Sequence, residues 1–258
     1  MSQQNNSPEQ PKVETAKSVY LYTIVFTIIV GGLLSVVFNS LRGLHALNTE
    51  KATKADILTA LPAGILPAKF DALEVFEKNI EVVAVQPNGT VFTKETINEM
   101  NAAPGRGLVQ YSKISDIDLA LEDKLAEENR VYPFYTYTGE DGKKIYLVSI
   151  RGNGLWNKIW GTLAIDQDLT TILGVSMGHA GETPGLGAEI KDSKAFKAQF
   201  EGKQIFQNGV YAPVGVKKKN LTVNDVQAIA GSTVTCDGVH EMLYRGLGYY
   251  VSYINSLQ

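Results

Sequence analysis

The residues best placed to do chemistry are the hydroxyls of Ala230-Gly231-Ser232-Thr233-Val234-Thr235, close to the carboxyl end of the chain. Upstream, Thr222-Val223-Asn224-Asp225 reads as a helix start, with Thr222 as N-cap and an acid three residues on. Val223, Val226 and Ile229 recur at helical spacing, and Gly231 suits the position just past a helix end. Downstream, Thr235 can cap a second helix on which Val239, Met242, Leu243, Tyr249 and Tyr253 keep the helical period. The run therefore lies where one helix stops and another begins. Amides at the second helix's start would favour an anion beside Thr233. A small-residue corner with two caps fits the same residues, and local signals alone do not separate the two readings.

Two further stretches carry unusual chemistry. In Arg151-Gly152-Asn153-Gly154-Leu155-Trp156-Asn157-Lys158, glycines flank a Leu-Trp pair at the mouth of a strand. A large flat side chain is then held where the backbone can bend sharply, although core packing of Trp156 would explain it too. In Gly181-Glu182-Thr183-Pro184-Gly185-Leu186-Gly187, Pro184 drives Thr183 toward an extended conformation. Gly185 and Gly187 let main-chain amides approach a planar ligand, with Leu186 as an apolar contact; a plain tight loop is the alternative. The chain has no Gly-x-Gly-x-x-Gly and no Walker pattern, so a Rossmann dinucleotide or a nucleoside triphosphate has no support.

These stretches need a scaffold. A hydrophobic fraction of 44% and a charged fraction of 20% describe a globular chain. A net charge of −3 without a basic stripe argues against a nucleic-acid partner. The single cysteine, Cys236, leaves no intrachain disulfide and no cysteine cluster, and His45, His179 and His240 lack metal-ligand spacing.

Residues 1–17 read as a disordered polar tail. The uncharged run 18–38 supplies the roughly 20 apolar residues that a membrane-crossing helix needs, with Tyr20 and Tyr22 at its interface end. It is too long for a signal peptide and is followed by no small-residue cleavage pattern. Lysines and arginines on both sides leave the orientation undecided by charge. Residues 39–67 read as a juxtamembrane helical segment, with an apolar helix over 41–61 and punctuation at Pro62 and Pro67.

Hairpins follow over 80–93, around Pro87-Asn88-Gly89, then over 132–150 and over 160–176. Residues 115–129 read as an exposed amphipathic helix with a solvated acidic face. A short helix spans 193–201, and Asn208-Gly209 marks one more turn. The fold class is α+β: an N-terminal transmembrane helix, then one domain on an antiparallel sheet with flanking helices over 68–258.

Taken in order, Gly154-Leu155-Trp156, Glu182-Thr183-Pro184-Gly185-Leu186-Gly187 and Gly231-x-Thr233-x-Thr235 behind one membrane helix resemble the C-subunit family of the sodium-translocating NADH:quinone oxidoreductases. The resemblance runs over nearly the whole chain and is most specific at Glu-Thr-Pro-Gly-Leu-Gly. It implies an FMN-binding domain whose motif-bearing core spans about 150–258, with FMN esterified through its phosphate to Thr233 by a flavin transferase. Ser232 and Thr235 are the fallback acceptors, and the ring is expected against Leu155, Trp156, Glu182, Thr183, Gly185, Leu186 and Gly187.

The resemblance further implies a one-electron relay within a translocase of the cell inner membrane. The bulk of the chain is then periplasmic, and the NADH site lies on another subunit. The chain departs from the family's Ser-Gly-Ala-Thr at Ala230 and Ser232, and Gln227 stands where an aspartate is common. Two alternatives are the G subunit of the related ferredoxin:NAD oxidoreductase and a membrane-anchored, non-redox binding domain. The long segment between residues 38 and 154, with the Leu-Trp pair, favours the quinone reductase. His240 and Glu241 read as packing or surface residues.

Overall fold

A computed structural model describes residues 16–258, so most of the expected polar tail lies outside the described residues. The chain divides into two compact units, residues 1–50 and 51–258. Helix α1 (Ala16–Leu58) takes in the last two tail residues, the whole apolar run and most of the juxtamembrane segment as one element. Its stretch from Lys17 to Leu58 is long and apolar enough to cross a membrane, and none of its most apolar window is buried. The helix tightens at its end, where Ala60 and Leu61 donate to the carbonyls of Ile57 and Leu58. Pro62 then bars continuation.

In the second unit, Asp71 accepts the Leu73 amide at 3.0 Å and caps α2 (Ala72–Asn79). That helix leads into β1 (Ile80–Val85), which turns through Gly89 into β2 (Val91–Phe92). Helices α3 (Ile97–Ala102) and α4 (Leu119–Glu122) come next. The long strands β3 (Tyr132–Thr138), β4 (Lys144–Asn153), β5 (Lys158–Ile165) and β6 (Ile172–His179) follow as successive hairpins. Short elements then run through α5 (Glu189–Asp192), α6 (Lys194–Ala198), β7 (Phe206–Gln207), β8 (Val210–Tyr211), β9 (Gly215–Lys217) and β10 (Asp225–Gln227). The chain closes with α7 (Thr233–Gly248) and α8 (Val251–Leu257).

The main sheet is six-stranded and antiparallel, in the order β2-β1-β3-β4-β5-β6. Strand alternation sends Phe134, Val148 and Leu163 to one face and Tyr135, Leu147 and Ala164 to the other. The first face packs under α7 and α8 with Val239, Met242, Leu243 and Ile254. The second is covered by Ile57, Leu58, Ala60, Leu61 and Phe76. With two covered faces the strands are apolar almost throughout, and each buried aliphatic contributes about 1.5–3 kcal/mol. A methyl at Gly238 would lie 2.1 Å from the Asn153 carbonyl oxygen, so α7 needs a glycine there to seat on β4. The Tyr250 hydroxyl donates to the Ser149 carbonyl at 2.7 Å and ties the helical layer to the sheet.

Two expected helices are absent. Residues 115–129 form only α4 flanked by single 3-10 turns. Asp118 accepts the Ala120 amide at 2.7 Å and restarts the chain locally. Glu122, expected on a solvated face, is buried instead: it pairs with Arg106 at 2.8 Å and accepts the Tyr111 hydroxyl and the Val131 amide. The helix read from Thr222 is the strand β10, paired parallel with β9. Half of the capping box forms, since Asp225 accepts the Thr222 amide at 2.6 Å. The chain then extends, burying Val226 and leaving Val223 exposed, which helical spacing would have kept on one side.

Candidate functional site

The three unusual stretches meet at one end of the sheet. Gly154 and Asn157 close the β4–β5 hairpin, the Gly154 amide donating to the Asn157 carbonyl at 2.8 Å. Leu155 and Trp156 occupy its tip and are 51% and 68% exposed, so Trp156 is no core residue.

Glu182, in the loop after β6, joins this tip to α7. Its side chain is buried, with Oε1 accepting the Trp156 amide at 2.9 Å and Oε2 accepting the Thr235 hydroxyl at 2.7 Å. A methyl at Gly154 would sit 2.4 Å from Oε1, and one at Gly187 would sit 2.6 Å from Oε2. Both glycines are therefore required by the carboxylate. The space that a side chain at Gly187 would take is filled by Glu182 and Thr235. Burial acts to raise the Glu182 pKa, but hydrogen bonds from Thr235 and the amides of Trp156, Asn157 and Leu155 outweigh it and hold the carboxyl below its ordinary range. The Trp156 ring N–H donates to the Thr183 hydroxyl at 3.2 Å. Gly185 adopts φ of 73° beside open space.

Gly231 adopts φ of 78°, and a methyl on it would meet Leu186 Cδ2 at 2.9 Å, so the second and third stretches also touch. Helix α7 begins at Thr233, with Ser232 as N-cap. Thr235 thus lies inside the first turn and spends its hydroxyl on Glu182, not on the cap that its position in the sequence predicts. The Ser232 side chain makes no capping bond, and its buried Oγ has no partner among the described residues. The first amides of α7 lack intrahelical acceptors, as at any helix start.

The Thr233 hydroxyl is half-buried and receives the Lys218 ammonium. Sequence reasoning missed this lysine. Its only signal was the run Lys217-Lys218-Lys219, which does not say which of the three reaches Thr233. Gln227 Nε2 donates to the Lys218 carbonyl at 3.3 Å and fixes that segment. His240 Nδ1 accepts the Val216 amide at 3.2 Å, and Glu241 pairs with Arg245, both as structural contacts.

All the residues read as a site are therefore linked through Glu182, Leu186 and the start of α7. Leu155, Trp156, Leu186 and Val234 are exposed apolar groups on these same three stretches. Apolar surface for a planar ring, with an accessible hydroxyl, a cation and a helix start for an anion, is the donor set that a flavin nucleotide requires.

Residues 154–248 match the FMN-binding domain family. The chain is 30% identical over 203 residues to the C subunit of the Na(+)-translocating NADH-quinone reductase of Neisseria meningitidis, an alignment covering 76% of this chain and 77% of the relative. The crystal structure of the same subunit from Parabacteroides distasonis superposes with a TM-score of 0.68 at 29% identity, covering 83% of this chain and 96% of the other. Shewanella oneidensis NqrC, at 20% identity and a TM-score of 0.63, shares the fold over 82% of this chain and 98% of its own.

Proposed function

The chain belongs to the C-subunit family of the Na(+)-translocating NADH-quinone reductases, and on that premise we propose that it is the FMN-carrying electron-transfer subunit of a sodium-pumping complex, its FMN joined through phosphate to Thr233. The observation that carries the attachment point is a difference among neighbouring hydroxyls. Thr235 is 1% exposed and bonded to Glu182, and the Ser232 oxygen is buried. Thr233 alone of these three is not buried, being partly exposed, and it stands at the start of a long helix.

Attachment forms an Oγ–P bond. The Thr233 hydroxyl proton leaves, the donor's phosphoanhydride P–O bond breaks as its leaving group departs, and no oxidation state changes. A flavin transferase acting on an activated flavin nucleotide supplies this step. The amides at the start of α7 would stabilise the charge that remains on the diester. Leu155, Trp156 and Leu186 would cover the ring from water, while Glu182 holds the Trp156 backbone and the first turn of α7 in register. Bound FMN supplies one-electron transfer between partner centres.

We assign 18–38 as the membrane span of a single-pass inner-membrane subunit and 68–258 as its periplasmic domain. NADH binds another subunit of the complex. Intact mass of the protein purified from its own host tests the attachment. The expected mass is the polypeptide plus FMN less one water, lost in Thr233→Ala and kept in Thr235→Ala. A host-purified chain weighing only its amino acids overturns it.

A further inference from the structure

We propose that Lys218 is a positioning residue for the attached nucleotide: its ammonium orients the Thr233 hydroxyl before attachment and pairs with the phosphodiester afterwards. This rests on the Thr233 attachment proposed above. Lys218 lies outside the three stretches that define the site, yet its ammonium donates to the Thr233 oxygen from 15 residues away in sequence.

Lys217 is held by Asp225 at 3.1 Å, whereas no carboxylate among the described residues pairs with Lys218. The Lys218 ammonium instead lies against the first residue of α7, at the positive end of a 16-residue helix dipole. A cation there is disfavoured unless an anion joins it. A phosphodiester on Thr233 supplies one negative charge at the oxygen that Lys218 already contacts, and it would receive both the ammonium and the helix amides.

The lysine is also held in place. Gln227 binds its carbonyl, and the Ala228 amide donates to the carbonyl of Lys217 at 2.9 Å. Gln227 brings no charge of its own, so the Lys218 cation is left for the phosphate.

The test uses the full chain in its own host with Lys218→Ala, Lys218→Glu and Lys218→Arg. Intact mass follows the fraction carrying FMN less one water after induction, and phosphorus NMR compares native with denatured protein. The expected result is a labelling rate about tenfold lower in Lys218→Ala, the loss of one charge-assisted hydrogen bond. Labelling falls further in Lys218→Glu and stays near wild type in Lys218→Arg. The native Lys218→Ala resonance moves to the position seen on denaturation. A Lys218→Ala chain that labels at the wild-type rate, or keeps the native wild-type resonance, overturns the role of Lys218 alone. A wild-type chain with no protein-bound phosphorus instead removes the Thr233 attachment beneath it.

Discussion

The Thr235 hydroxyl donates to the Glu182 carboxylate at 2.7 Å, across 53 residues of sequence, inside a site where both side chains are buried. The same carboxylate takes the backbone amide of Trp156. One acid thereby fixes the relative placement of the β4–β5 tip, the loop after β6 and the start of α7. Its burial is tolerated because its oxygens find donors in the folded chain.

Changing either partner mismatches buried polar groups, since valine offers no hydroxyl and in glutamine one accepting oxygen becomes an NH2 group that cannot accept. Thr235→Val and Glu182→Gln are each expected to lower stability by about 1–3 kcal/mol. In a double-mutant cycle read by urea unfolding of the full chain, the two losses should couple by at least about 0.5 kcal/mol. Simple additivity would show that the pair does not act as a unit.

The Glu182 pKa is held down in the folded chain, mainly by hydrogen bonds that overcome burial, and Asp225 is likewise lowered as bonds from Thr222 and Lys217 overcome its burial. The folded state favours the ionised forms, so their contribution is complete above the ordinary values of 4.5 and 3.8 and is lost as pH falls through the lowered ones. The stability gap between wild type and Glu182→Gln should therefore hold from pH 7 to about 5 and shrink below about 4. A gap that stays constant down to pH 3 would contradict this.

Gly154→Ala drives a methyl into the Glu182 carboxylate, whereas a methyl at Gly181 reaches nothing closer than Asn157 Cβ at 4.0 Å. The first should cost about 1–3 kcal/mol by overpacking and lower the flavinylated fraction. The second should stay within about 0.5 kcal/mol of wild type. Thermal unfolding with intact mass reads both, and equal effects would mean that the close approach at Gly154 does not matter.

Trp156 is 68% exposed, so Trp156→Ala should change stability by no more than about 0.5 kcal/mol. On the docking proposed above, flavin fluorescence anisotropy in the native chain should fall as that face is lost. Unchanged anisotropy would place the ring elsewhere.

Arg106 and Glu122 form a pair in which each side chain is 1% exposed. Arg106→Met should cost about 3–5 kcal/mol by leaving the carboxylate uncompensated. Arg106→Met combined with Glu122→Leu should cost less than the sum of the single changes in urea unfolding. Full additivity would show that burial of the pair carries no mutual compensation.

Some of this was legible in the chain alone. The apolar run 18–38 and the hairpins about Asn88-Gly89 and Gly139–Gly142 rest on local spacing and turn chemistry, which need no partner, whereas Thr233, Trp156 and Glu182 stood out as site residues only through the family resemblance. Other features were decided only when distant segments met. Thr222 and Asp225 carry a helix-start signal, yet pairing with β9 drew them into a strand, because a short helix gains too little to compete with a ladder and a buried Val226. The acids of 115–129 looked alike until Arg106 drew Glu122 inward. Lys218 became distinct from its neighbours only through the approach of α7. Periodicity records which face is apolar, whereas a buried carboxylate or a cation at a helix start is chosen by whatever donor or acceptor the tertiary fold brings within about 3 Å.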